Sequence, residues 1–269
     1  MRTGPHTGLL RRASAAPELT AVVLLAGGAG AWLLMARQAR MMDDASSMRP
    51  ASVAAFLVMW AVMMSAMMLP SLAPLTTRYV RAIGRPVWRG ASALVVGYLA
   101  VWTALGLAGY ALAAELGRTA ASRPGAARWS AVALYAVCGA YQLTPLKRLC
   151  LRECRAPIGL LLRYAGWRGP MRHVRVGLHH GAMCVGCCWA LMLLLFTAGL
   201  MNLGAMLLLA LIVAVEKLGS WGATFSRWVG IASLVLAAAA IWRPALAPGI
   251  MPMHGPAMPH AQHPSMRDP

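Results

Sequence analysis

The sequence predicts an all-α protein, a polytopic transmembrane helical bundle of about seven spans. Three observations predict it. Hydrophobic residues make up 59% of the 269-residue chain and charged ones only 12%. A soluble domain is roughly 45–50% apolar and about 25% charged, and the mean hydropathy here is +0.62. The apolar residues gather in separate runs, several of them near the ~20 residues needed to cross a bilayer. The 25 basic residues, against 7 acidic ones, lie mostly between those runs.

Residues 1–18 form a basic N-terminal segment with Arg2, Arg11 and Arg12. The first apolar run covers about Leu19–Met35. It is long for a signal-peptide core and lacks a clear A-x-A site before Arg37, so a retained first span is expected. A polar loop, Arg37–Pro50, leads to a second span, about Ala51–Leu69. This span is expected to stop at Pro70, which lacks an N–H and has a fixed φ. Spans three and four cover about Ala91–Ala114 and Trp129–Leu146. The longest internal polar stretch, Lys147–Val176, carries eight basic residues and reads as a loop. Span five is about Leu178–Leu200, with a tight turn at Asn202 and Gly204. Span six, about Ala205–Val215, is short, and the total falls to six if it is re-entrant. Span seven is about Val229–Trp242. The transmembrane bundle therefore occupies 19–242, and 243–269 is a Pro-, Met- and His-rich tail whose composition suggests disorder.

With the N-terminus in the cytoplasm and the C-terminus outside, 17 of the 25 basic residues fall on the cytoplasmic side and 8 opposite. This bias follows the positive-inside rule, so the charge reads as topology in a bacterial inner membrane and nucleic acid is not an expected partner. The chain shows no phosphate-binding loop, Rossmann glycine pattern, H-E-x-x-H or Ser-His-Asp constellation. An enzyme is not expected.

Soft metal ligands concentrate in span five. Cys184, Cys187 and Cys188 stand at i, i+3 and i+4, with His180 four residues before Cys184, so all four share one helical face. Thiolate with imidazole suits Cu(I), with Zn(II) as the alternative. The group lies near the cytoplasmic end of span five, on the side where thiols stay reduced. Folding spans five and six back on each other about the Asn202–Gly204 turn brings Glu216 and Lys217 near the depth of Cys187 and Cys188. A carboxylate beside a span marks a functional candidate, as ligand, as orienting partner or as proton acceptor.

In span two, Met59, Met63 and Met67 lie at i, i+4 and i+8, with Met64 and Met68 alongside. Such a stripe either binds Cu(I) through thioethers or fills the core. Cys150 and Cys154 stand at i, i+4 among Lys147, Arg148, Arg152 and Arg155, cations expected to favour the thiolate. They form a second candidate metal pair, or a redox pair. Cys138 is alone and expected to be structural. In the tail, Met251, Met253, His254, Met258, His260, His263 and Met266 could capture metal on the extracytoplasmic side.

Four segments carry a family resemblance: MMSAMMLPS (Met63–Ser71), YQLTPLKRLCLRECR (Tyr141–Arg155), GLHHGAMCVGCCWALMLLLFTAGLMN (Gly177–Asn202) and VEKLG (Val215–Gly219). Together they resemble a bacterial family of predicted metal-binding integral membrane proteins of unknown biochemical function. The resemblance implies a multi-span bundle with a metal-linked role, and it covers neither the N-terminal segment nor the tail.

The leading expectation is a membrane protein that binds Cu(I) for transport or for delivery to a metallochaperone or client metalloprotein, in contact with lipid. Two rivals stand beside it: a membrane thiol–disulfide relay through Cys150/Cys154 and Cys187/Cys188, and a non-catalytic scaffold subunit of a membrane complex.

Overall fold

In a computed structural model of the chain, the structure describes residues 6–43, 52–83, 87–243, 246 and 248–250. Within these residues every regular element is a helix. The order is α1 (His6–Asp43), α2 (Val53–Ile83), α3 (Val87–Ser122), α4 (Pro124–Leu143), α5 (Pro145–Arg155), α6 (Pro157–Ala165), α7 (Arg172–Ala198), α8 (Leu203–Leu218) and α9 (Gly222–Trp242). Five stretches are long and apolar enough to cross a membrane: Pro17–Arg40, Val53–Ala82, Trp88–Ser122, Arg172–Ala198 and Gly222–Trp242. Large apolar side chains such as Val22, Leu33, Val58, Val96, Leu208 and Val235 face outward, as lipid-facing positions would.

Local chemistry sets the helix boundaries. Pro124, Pro145 and Pro157 each stand at the start of a helix, where a missing N–H costs nothing. Thr144 ends α4 and caps α5, its hydroxyl accepting from the Lys147 amide at 3.1 Å. Gly199 follows α7 with a φ of 97° that L side chains avoid. Asn202 then caps α8 by accepting from the Ala205 amide at 3.0 Å.

Two sequence expectations are corrected here. The second span does not stop at Pro70, because α2 continues through Pro70 and Pro74 to Ile83. Pro70 cannot donate to the Ala66 carbonyl one turn earlier. The indole of Trp32 on α1 donates to that carbonyl instead, at 3.1 Å. A partner from a neighbouring helix thus satisfies the group that proline orphans, and the helix survives. The stretch 147–176 is not simply a loop either, since α5 and α6 occupy much of it and Lys147 is fully buried. Span six is helical, but α8 has 16 residues and is absent from the membrane-crossing set.

Close helix crossings depend on glycine. A Cβ at Gly177 of α7 would lie 2.0 Å from the Leu94 carbonyl oxygen of α3, and one at Gly97 would lie 2.4 Å from that of Val174. Small residues at such crossings let backbones touch, which is how membrane helices pack without a hydrophobic drive. This contact carries Tyr98 of α3 to the centre of α7. Beyond Trp242 the chain does not leave the bundle at once: Leu246 accepts from the Tyr135 hydroxyl at 2.8 Å, the Gly249 amide donates to Thr197, and Ile250 is buried.

Candidate metal centre

Helix α7 delivers its i, i+3, i+4 cysteines to one buried point. Cys184, Cys187 and Cys188 are at most 1% exposed, and their three sulfurs lie within 4.8 Å of one another. Sulfurs sharing one ion at about 2.3 Å stand about 4 Å apart, so side-chain adjustment alone closes this group around a soft cation. All six cysteines are free thiols.

The three thiols are not equivalent. Those of Cys187 and Cys188 donate to the Cys184 carbonyl at 3.1 and 3.0 Å, using the backbone of their own helix. The Cys184 sulfur instead meets two groups from other helices. Lys217 Nζ of α8 lies 2.9 Å away, and the Tyr98 hydroxyl of α3 also 2.9 Å. The predicted juxtaposition of the α7 cysteines with the end of α8 is therefore present in the fold.

His180 sits one turn before Cys184, 5% exposed, its ring stacked on that of Tyr98 at 5.8 Å between centroids. Its Nδ1 is buried with no hydrogen-bond partner. An orphaned nitrogen at this depth is unusual, since buried polar groups are nearly always paired. His180 is not among the mutually close donors, which are the three cysteines.

Glu216 is placed otherwise than as a bare ligand. Its Oε1 accepts from Gln142 Nε2 at 2.9 Å, and its Oε2 pairs with Lys147 Nζ at 2.6 Å. Lys147 also donates to the Cys187 carbonyl. Glu216 therefore acts through Lys147 on the α7 backbone at the cysteine cluster, joining α4, α5, α7 and α8 at one point.

The methionine stripe of α2 is buried at Met63, Met64, Met67 and Met68, with Met59 half-buried. Met68 reaches the site: its sulfur is 3.9 Å from Lys217 Nζ, which also donates to Ser71 Oγ at 3.3 Å. The structure brings Met68 to the cluster and holds Met63, Met64 and Met67 in the surrounding core.

Cys150 and Cys154 part company. Cys150 packs against α7 where Gly186 leaves room, since a Cβ there would come within 2.8 Å of its sulfur. Cys154, partly exposed on α5, faces Cys187. Neighbouring lysines favour the thiolate at these two positions, as the sequence suggested, but larger opposing effects outweigh them. Burial pushes Cys150 up, and the interaction with Cys187, with burial second, pushes Cys154 well up. Cys138 is buried on α4, where the Ser233 hydroxyl of α9 donates to its sulfur at 3.8 Å. The tail residues Met251, Met253, His254, Met258, His260, His263 and Met266 lie outside the described residues.

With this geometry in view, comparison with known families is decisive at one point. A family model named PpoB2 and described as a copper chaperone matches residues 57–240. The chain belongs to this copper chaperone family. The match spans the α2 methionines, Tyr98, the Lys147–Glu216 pair and the three cysteines of α7. No curated protein and no solved structure matches the chain.

Sequence reasoning missed Tyr98, Gln142 and Ser71, and it counted Lys147 as a loop charge. The signal for Gln142 was available: it is a polar residue inside an apolar run, the kind of position that warrants naming a partner.

Proposed function

We propose that the protein is a membrane-embedded chaperone that takes Cu(I) as cargo on Cys184, Cys187 and Cys188 and delivers it to a client metalloprotein. The observation that carries this reading is the buried group of three sulfurs within 4.8 Å in a copper chaperone family member. Three thiols on one helix face make a compact, soft, low-coordinate set, which Cu(I) accepts and hard cations do not.

His180 Nδ1, buried and unpartnered, is a spare donor on the same face of α7, and it completes the set when the ring turns toward an ion. Met68 offers a weaker, exchangeable thioether on the α2 side, with Met63, Met64 and Met67 behind it. Cys154 supplies a partly exposed thiol next to Cys187, through which metal is exchanged with a cytoplasmic partner. The process is ligand exchange between soft donors, not catalysis. The tail methionines and histidines concentrate metal on the outer side.

The bundle sits in a bacterial inner membrane with its N-terminus in the cytoplasm, a topology supported by the 17-to-8 distribution of basic residues. Metal analysis of the purified protein, with and without the three α7 thiols, tests the reading.

A further inference from the structure

Helices α1 and α2 lie antiparallel, and their seam is fastened over only part of its length. A Cβ at Gly28 would lie 3.2 Å from the Pro70 ring, and one turn further along α1 the Trp32 indole holds the Ala66 carbonyl at 3.1 Å. In the other direction, toward the end that the proposed topology puts in the cytoplasm, the two helices leave a cavity of about 400 Å³. Ala21 and Leu25 of α1 line one side of it, and Pro70, Pro74, Arg78 and Arg81 of α2 line the other. Thr77 also lies on the α2 wall, but it donates its hydroxyl hydrogen to the Ala73 carbonyl of its own helix at 2.7 Å. The side-chain donors left to the cavity are the guanidiniums of Arg78 and Arg81, which stand at i, i+3 on one face of α2. Both are exposed. Neither forms an ion pair among the described residues, with the exposed Glu18 of α1 or with any other carboxylate.

We propose that this seam binds one anionic phospholipid of the inner leaflet, a phosphatidylglycerol-type lipid, with an acyl chain in the cavity and its phosphate on Arg78 and Arg81. This rests on the membrane placement proposed above and is independent of the copper reading. Arg81 lies eleven positions after Pro70, about 16 Å along a helix that rises 1.5 Å per residue. One leaflet, half of a ~30 Å hydrocarbon core, is about 15 Å deep. The wall is apolar along that depth and basic at its cytoplasmic rim, the same order as the chain and phosphate of a lipid. Basic pockets between membrane helices on this side are where anionic headgroups bind. The positive-inside rule asks for basic residues near the loop, but it does not ask for two of them on the rim of a cavity. Guanidinium forks match phosphate oxygens. A phosphatidylcholine carries the same phosphate, but its trimethylammonium cancels the charge, so the net-negative lipid is preferred. The bound chain closes the part of the seam that Gly28 and Trp32 leave open.

Phosphatidylglycerol and phosphatidylcholine with identical acyl chains test this. The full-length protein in detergent is offered both at equal concentration, and the lipid retained per chain is counted by native mass spectrometry. Wild type is expected to keep one phosphatidylglycerol in clear preference. Arg78→Gln and Arg81→Gln are each expected to cut that preference about fivefold, the size of one arginine at an anionic membrane surface. Both side chains are exposed, so neither change disturbs the core. Ala21→Phe, which fills the cavity and leaves both arginines in place, is expected to lose the retained lipid of either kind. Equal retention of the two lipids by wild type would overturn the proposal. So would an unchanged preference in the arginine variants, or full retention in Ala21→Phe, which marks a lipid bound elsewhere on the apolar surface. A lipid-free dimer would assign the seam to a second copy of the chain and overturn it as well. Failure of the membrane reading shows separately, as a protein that stays monodisperse when detergent is removed.

Discussion

Lys147 Nζ lies 2.6 Å from Glu216 Oε2, with the two side chains 0% and 1% exposed. This ion pair joins α5 to α8 inside an apolar bundle, and Gln142 and the Cys187 carbonyl complete its hydrogen bonding. A buried pair gains little over a well-packed apolar replacement, whereas breaking it strands a charge. Lys147→Met or Glu216→Leu alone is expected to cost about 3–5 kcal/mol. The double change is expected to recover most of that loss. Thermal unfolding in detergent measures it, and a double variant as unstable as the worse single one would contradict the account.

The Trp32 indole takes the place of the Pro70 amide at the Ala66 carbonyl. Trp32→Phe leaves that buried carbonyl unpaired and is expected to cost about 1–3 kcal/mol. In a Pro70→Ala background the new amide supplies the helical bond, and the same change is expected to cost much less. Equal costs in the two backgrounds, measured by a double-substitution cycle, would show that the indole contributes packing alone.

Cys154 is the partly exposed cysteine; Cys138, Cys150, Cys184, Cys187 and Cys188 are buried. Maleimide labelling of the native protein is expected to begin at Cys154 and to vanish in Cys154→Ala, while Cys150→Ala leaves it intact. The thiolate is the reactive form, and the Cys154 thiol is pushed well up from its usual range. Labelling is therefore expected to be slow at neutral pH and to climb as pH rises beyond the ordinary thiol range. An impermeant maleimide should label inverted membrane vesicles and spare intact cells. Fast labelling at neutral pH, or labelling of intact cells, would count against the placement of α5.

How far this site is legible in the sequence depends on the range of the contact involved. The i, i+3, i+4 spacing of Cys184, Cys187 and Cys188 is local to one helix, so the face they share follows from helical geometry alone. The approach of Glu216 and Lys217 needed only one hairpin. Tyr98 was invisible, because it reaches Cys184 across 86 positions of sequence through a glycine crossing that no single helix reveals. Lys147 was misplaced for a different reason. Charge counting treats every Lys and Arg as a solvated loop marker, and in LKRLCLREC nothing local says which cation turns inward. The Thr144–Pro145 junction makes that choice by starting a new helix, and Glu216 supplies the partner. At Pro70 a local rule was overridden by a tertiary one, the indole of Trp32.

The central claim is that Cys184, Cys187 and Cys188 hold copper, and metal content tests it most directly. The purified protein, reduced and loaded with Cu(I) under anaerobic conditions, is compared with Cys184→Ser/Cys187→Ser/Cys188→Ser after removal of loose metal. The account predicts near-stoichiometric copper in the wild type and its loss in the triple variant, with both proteins eluting alike on gel filtration. Equal copper in the two would contradict it.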